Sequence, residues 1–235
     1  MIAELWQEGT AGIAEEGPRI RAFFEDDRDA GRLLDRFAEF SPELGEEPST
    51  DWERVSREAW PALMIGQRFF LVAPWSSDKT PDGRLRLEVH PGMACGTGRH
   101  PATQLCLEAL ERYVRPGDHV LDVGAGSGIL SAAAALLGAG RVIGCDLDHE
   151  TVKISRERVR LPLFTGSADA VSTNWADVVI ANIDSATIER IAPELERVSK
   201  PNSTLVISGF PEWDLPEGFS PRKILGREEW RCLIC

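Results

Sequence analysis

The sequence predicts an α/β protein: a doubly wound, mostly parallel sheet of seven strands, preceded by a small α+β domain. Three observations carry this. From Pro101 onward, short apolar strands alternate with helical segments, the order that builds a parallel sheet covered on both faces. A glycine-rich turn, residues 124–128, stands directly between an apolar strand and a helix. Upstream, residues 41–50 (SPELGEEPST) combine two prolines, a glycine and three glutamates, which is linker composition.

Taken in order, Ile20 to Phe24 reads as a strand, and Leu33, Leu34, Phe37 and Phe40 follow at helical spacing over Asp29–Phe40. A helix is expected to restart at Thr50 or Asp51, ahead of Trp52, Val55 and Trp60. Arg68–Ala73 and Leu85–Val89 are strand-like on either side of a Pro/Ser/Asp/Gly stretch, which predicts a hairpin. The sheet domain then reads as a helix at 101–115 and a strand at His119–Val123. Beyond the glycine loop come a helix at 128–138, a strand at Arg141–Asp146 and a helix at 149–160. Strands near 162–164 and at Asp177–Asn182, a helix at 185–198 and a strand at Thr204–Ser208 follow. Two short runs near 222–225 and 230–234 close the chain as an antiparallel edge hairpin. The domain boundaries expected are 1–48 for a small acidic domain, 49–64 for a linker helix and 65–235 for the sheet domain.

The net charge of −12 is unevenly placed. Residues 1–60 hold 16 Asp and Glu against 7 Lys and Arg, a net −9, so the rest of the chain carries only −3. An acidic surface repels phosphate backbones and favours a basic protein partner, so no direct nucleic-acid binding is expected. The start, MIAELWQEGT, lacks the basic and apolar regions of a signal peptide, and Ile129–Ala139 is too short to span a bilayer. The expectation is a cytoplasmic monomer with no membrane contact. Five cysteines give one C-x-x-C, Cys232 and Cys235, without a second pair or a histidine cluster, so no metal site is expected.

The chemistry concentrates in Leu121-Asp122-Val123-Gly124-Ala125-Gly126-Ser127-Gly128-Ile129-Leu130. A dinucleotide loop spaces its glycines G-x-G-x-x-G, and its third glycine would fall where Ile129 stands. This loop reads G-x-G-x-G behind Asp122. That carboxylate suits a cofactor bearing an ammonium group and no pyrophosphate. Asp146 ends the strand that follows the loop and its helix, where a carboxylate can accept both hydroxyls of a ribose. Leu147 follows it, and Asp148 reads as a helix N-cap. Thr165-Gly166-Ser167-Ala168-Asp169 reads as an ordinary turn and helix cap, or, where the methyltransferases that the glycine loop resembles place an adenine-amine acceptor, offers Ser167 and Asp169 as alternatives for it.

The loop resembles that of class I S-adenosylmethionine-dependent methyltransferases. Two further stretches, Gly92-Met93-Ala94-Cys95-Gly96-Thr97-Gly98-Arg99-His100-Pro101-Ala102-Thr103 and Ile180-Ala181-Asn182-Ile183, make the chain similar to the ribosomal protein L11 methyltransferase (PrmA) family. Asp51-Trp52, Pro61, Gly66, Pro74-Trp75 and Gly9–Glu16 extend the likeness to nearly the whole length. The resemblance implies a Rossmann-like methyltransferase fold, S-adenosylmethionine as cofactor, and methylation of lysine or α-amino groups on a basic ribosomal protein. It also implies a lid at Thr97 and Gly98, a contact of Thr103 with the cofactor's methionine part, and Asn182 as the residue that holds the acceptor nitrogen. His100 is either ligand-facing or a helix cap. Arg99 replaces the family's usual threonine and is expected beside the acceptor channel.

The cofactor-binding positions expected are therefore Thr97, Gly98, Thr103, Asp122, Gly124, Ala125, Gly126, Gly128, Asp146, Leu147, Ser167 and Asn182, with Asn182 also catalytic. Two alternatives to ribosomal protein methylation stand: a relative retargeted to another protein or a small-molecule amine, and a cofactor-binding module without catalysis.

Overall fold

A strand buried on both faces carries apolar side chains on both, and the central strands do so at most positions. Val120, Val178, Ile180 and Val206 point into one apolar cluster. Their neighbours Leu121, Val179, Ala181, Leu205 and Ile207 point into another. The computed structural model describes residues 2–10, 12–16, 19–24, 30–45, 60–90 and 98–235. The chain divides into two compact units, Met1–Trp52 and Glu53–Cys235.

In the first unit, helix α1 (Ile2–Gln7) precedes strands β1 (Gly12–Glu16) and β2 (Arg19–Phe23) and helix α2 (Ala30–Arg36). The expected helix over Asp29–Phe40 gives way after Arg36 to a single 3₁₀ turn, Ala38–Phe40. Strand β1 was not anticipated: two of its five residues are glutamates, a residue depleted in strands, and it pairs antiparallel with β2. Glu8 joins the two helices by ion pairs to Arg32 (3.0 Å) and Arg36 (2.9 Å), and Thr10 Oγ1 donates to the Phe23 carbonyl (2.7 Å).

In the second unit, β3 (Leu63–Ile65), β4 (Phe69–Val72) and β5 (Leu85–Glu88) form a three-stranded sheet. Here the structure corrects the sequence. The antiparallel hairpin is β3–β4, closed by the turn at Gly66-Gln67-Arg68, whereas β4 and β5 run parallel. The physical reason is length, since the stretch between β4 and β5 is about a dozen residues, what a parallel crossover requires. Most of the expected linker helix lies outside the described residues, and Leu63 and Met64 at its end belong to β3.

The large sheet follows: helix α3 (Pro101–Tyr113), β6 (His119–Val123), α4 (Ile129–Leu136), β7 (Arg141–Asp146), α5 (His149–Val159) and β8 (Leu163–Thr165). After them come β9 (Ala176–Asn182), α6 (Ser185–Val198), β10 (Ser199–Pro211), β11 (Lys223–Arg227) and β12 (Trp230–Ile234). The strand order is β11-β12-β10-β9-β6-β7-β8. Only β12 runs against its neighbours, so the final hairpin lies at the sheet edge, with β12 on the inside. Strand order reverses between β6 and β9, which opens a crevice at their carboxyl ends.

Cys232 and Cys235 are three residues apart on a strand, so their side chains take opposite faces: Cys232 joins the first cluster and Cys235 packs against the second. That arrangement cannot chelate one metal ion. Cys232 instead meets Cys106 of α3, and that hydrogen bond, with burial, pushes the Cys106 thiol well up.

Two glycines with positive φ separate backbone strain from steric conflict. Gly83 (φ +77°) has open space around it, whereas a Cβ on Gly209 (φ +107°) would stand 2.4 Å from the Ile183 carbonyl oxygen. Gly83→Ala is expected to cost roughly 1 kcal/mol from φ alone, and Gly209→Ala about 2–3 kcal/mol, because Ile183 presents backbone that cannot step aside. Urea denaturation of the two variants checks the ranking; equal losses would refute it.

Candidate active site

The site is assembled from the carboxyl ends of four adjacent strands, β8, β7, β6 and β9. Between β6 and α4 the chain must reverse in five residues, and Gly124, Gly126 and Gly128 all take positive φ (73°, 53° and 76°) to do it. The loop is bound to β7: Gly124 N and Ala125 N both donate to the Cys145 carbonyl (2.8 and 2.9 Å), and Gly126 N donates to Asp146 Oδ2 (2.9 Å). Gly128 N donates to the Ala125 carbonyl (2.8 Å). With four N–H groups so committed, the loop is poorly suited to cradle a pyrophosphate.

Its flanking groups are carboxylates. Asp122 is buried beneath the loop, where its Oδ2 accepts from Ser131 N (2.9 Å) and Oγ (2.7 Å) while its Oδ1 is buried with no partner. Burial pushes its carboxyl up to about 6, against the two Ser131 hydrogen bonds that lower it; the Asp146 charge adds to the rise. Asp146 Oδ1 accepts from Asp148 N (3.0 Å), and each Asp146 oxygen retains a lone pair for a further donor. Leu147 beside it is 73% exposed, an apolar surface left open at this edge. Asp148 caps α5 as expected, accepting from Glu150 N (2.9 Å).

On β8, Thr165 is the register partner of Asp146, so Ser167 follows at the same edge; its side chain makes no cap bond to the 3₁₀ turn Ala168–Ala170. Arg197 of α6 holds that turn, donating through Nη2 to the Ala168 carbonyl (3.0 Å).

Across the switch point, Val123 pairs with Ala181, so Asn182 ends its strand beside Gly124. A Cβ on Gly124 would lie 2.5 Å from Ile183 Cγ2, which shows how closely the two segments abut. Asn182 Nδ2 donates to Thr103 Oγ1 (3.1 Å), and Thr103 is buried in the first turn of α3. Two residues 79 positions apart are thus in direct contact. Gly98 (φ +75°) is buried, with Leu71 and Ile129 methyls 2.7 Å from where a Cβ would sit. Thr97 lies outside the described residues.

Two expectations resolve differently. His100 is the N-cap of α3: its Nδ1 accepts from Ala102 N (3.3 Å) and its ring meets Trp230 edge-on at 4.3 Å. Arg99 turns to Trp60, 4.5 Å from its ring centroid, and donates to the Pro61 carbonyl, so its guanidinium is held against the indole. The residues missed from sequence are supports. Ser131 was legible as the one polar residue of an otherwise apolar helix, ILSAAAAL. Ser155, whose Oγ donates to the Gly126 carbonyl (2.7 Å), and Arg197 left no local signal.

The sequence pattern of the ribosomal protein L11 methyltransferase (PrmA) family matches residues 3–235. The chain belongs to that family. Its curated relatives named ribosomal protein L11 methyltransferase include those of Geobacillus kaustophilus, 36% identical over 81% of this chain and 66% of that protein, and of Burkholderia mallei, 41% identical over 71% and 56%. The chain thus spans just over half to just under two thirds of these relatives' length. A Desulforamulus reducens relative is 35% identical over 94% of this chain and 76% of its own. Among solved structures, the ribosomal protein L11 methylase of Lactobacillus delbrueckii matches with a TM-score of 0.67 at 25% identity, covering 74% of this chain and 96% of that one. This kinship and the sheet order agree on a Rossmann-like methyltransferase fold.

Asp122 gives the stability of this chain a pH dependence. Its carboxyl is held above the usual carboxylate range, so the fold favours the neutral acid. The stability this supplies is complete below about pH 4 and lost as pH rises through about 6, on the order of 3 kcal/mol in all. The difference in unfolding free energy between the parent and Asp122→Asn is therefore expected to fall between pH 4 and 7 and to level off above. Urea denaturation at pH 4.5, 6.0 and 7.5 measures it, and a flat difference would contradict the assignment.

Proposed function

We propose that this chain is an S-adenosylmethionine-dependent N-methyltransferase that acts on lysine ε-amines or an α-amine of a basic ribosomal protein, with L11 as the substrate its family suggests. One observation carries the reading: Asn182, fixed by Thr103, ends its strand directly beside the glycine loop.

The residues fit the cofactor. Asp146 supplies acceptors, and the buried Asp122 adds negative charge from beneath the loop, where the loop offers few free N–H donors; this matches a ribose diol and an ammonium rather than a pyrophosphate. Leu147 offers an apolar face, and Ser167 or Asp169 an acceptor, for a purine. Bound there, S-adenosylmethionine supplies an activated methyl group that needs no further activation by the protein. The chain's own task is then positioning. The Asn182 amide donates to Thr103, which fixes its plane; its Oδ1 makes no hydrogen bond within the described residues and is available to accept an amine N–H. An amine held through its N–H presents its lone pair in a defined direction, and holding the reacting atoms in line accounts for most of the rate. A lysine must reach the site neutral, and removal of water on binding favours that form. The acidic segment 1–60 suits a basic protein partner.

Incubation of the purified chain with S-adenosyl-[methyl-³H]methionine and purified L11 is expected to label L11. Calorimetry is expected to show S-adenosylhomocysteine binding and none for NAD. Binding without label on L11 or on bulk ribosomal protein would leave only the cofactor-binding reading, and no binding would remove both. Asn182→Ala is expected to lower kcat about 100-fold while changing the S-adenosylhomocysteine Kd less than 3-fold. An equal loss in both would make Asn182 a cofactor ligand instead.

A further inference from the structure

Strand β10 ends on the same edge of the sheet as Asn182, since it runs parallel to β9 with Ser208 opposite Asn182. Five residues past Ser208, at most about 17 Å of chain, stands Trp213, 74% exposed. Its turn is firmly tied. Glu212 N donates to the Glu229 carbonyl (2.8 Å) and Asp214 N to the Pro211 carbonyl (3.1 Å). Ser185 Oγ, at the start of α6, donates to Asp214 Oδ2 (2.6 Å), and Glu217 N donates to Glu189 Oε1 (2.7 Å). Arg231 pairs with Glu212. An indole on so fixed a turn is a standing apolar surface rather than a frayed loop tip.

The charges around it select a partner. Residues 211–220 (PEWDLPEGFS) contain Glu212, Asp214 and Glu217 and no lysine or arginine, and Glu189 of α6 reaches the turn at Glu217 N. The cation tied to this turn, Arg231, is paired with Glu212 and also donates to the Glu228 and Trp230 carbonyls. An aromatic face amid carboxylates attracts a cation and repels an anion.

We propose that Trp213 is a specificity residue that receives the ammonium of a second lysine on the substrate protein, one flanking the amine to be methylated. The assignment rests on the amine-methylation reading above. It adds that the substrate presents neighbouring amines, one bound in its neutral form at Asn182 and one kept charged over the indole.

With L11 as substrate, Trp213→Ala is expected to raise KM about two- to five-fold with kcat and the S-adenosylhomocysteine Kd unchanged, and Trp213→Phe to retain part of the effect. A second readout avoids catalysis. In protein carrying 5-fluorotryptophan, the ¹⁹F resonance assigned to Trp213 through Trp213→Phe is expected to shift on titration with hexalysine and not with hexaglutamate. If L11 is never labelled yet the resonance answers hexalysine alone, the substrate reading fails and the cation platform stands. An unchanged KM together with no shift, or a shift with both peptides, overturns the proposal. So does concentration-dependent self-association that Trp213→Ala abolishes, which would assign the indole to a second copy of this chain.

Discussion

A single carbonyl oxygen, that of Cys145, takes the first two N–H groups of the glycine loop, and the rest of the site depends on that arrangement. Because Gly124 and Ala125 turn their donors into the neighbouring strand, the loop closes on the protein instead of opening toward a phosphate. Asp146, one residue further along, finishes the closure by accepting Gly126 N through its side chain. The two strands at the switch point are thereby joined by backbone and carboxylate together. The upper surface of the loop is left with carboxylate chemistry rather than amide chemistry.

This arrangement has a cost that the fold accepts. Asp122 sits fully buried under the loop with one oxygen satisfied twice and the other unsatisfied, and a second carboxylate stands close by. Such a group resists ionisation, and a bound cation would offset that cost. Ser131 and Ser155, the hydroxyls that hold Asp122 and the Gly126 carbonyl, contribute rigidity. On the opposite side of the switch point Thr103 does the same for Asn182.

The strand–helix alternation, the loop and its flanking acids were legible because each is local: a period of two or of 3.6, a glycine spacing, an acid at a strand end. Asp148 as a cap and the closing hairpin followed from the same kind of signal. The pairing of β4 with β5 was not legible, because two adjacent strand patterns look alike whether the connection turns back or crosses over. Strand β1 escaped notice because its glutamates mask a strand that pairing with β2 stabilises. Arg99 pointed toward the channel by proximity in sequence, yet the indole of Trp60, far back along the chain, claims it.

What the sequence by itself determined is the fold class and the glycine loop with its flanking acids, all properties of contiguous residues. What only the tertiary structure decided is which of those residues meet. The contact between Thr103 and Asn182, the support of the 167–170 turn by Arg197, and the ties of the Trp213 turn to Ser185 and Glu189 all join segments far apart in the chain. Their separation along the chain carries no trace in any local pattern. It is closed only when the parallel strands take their order and bring their carboxyl ends to one edge.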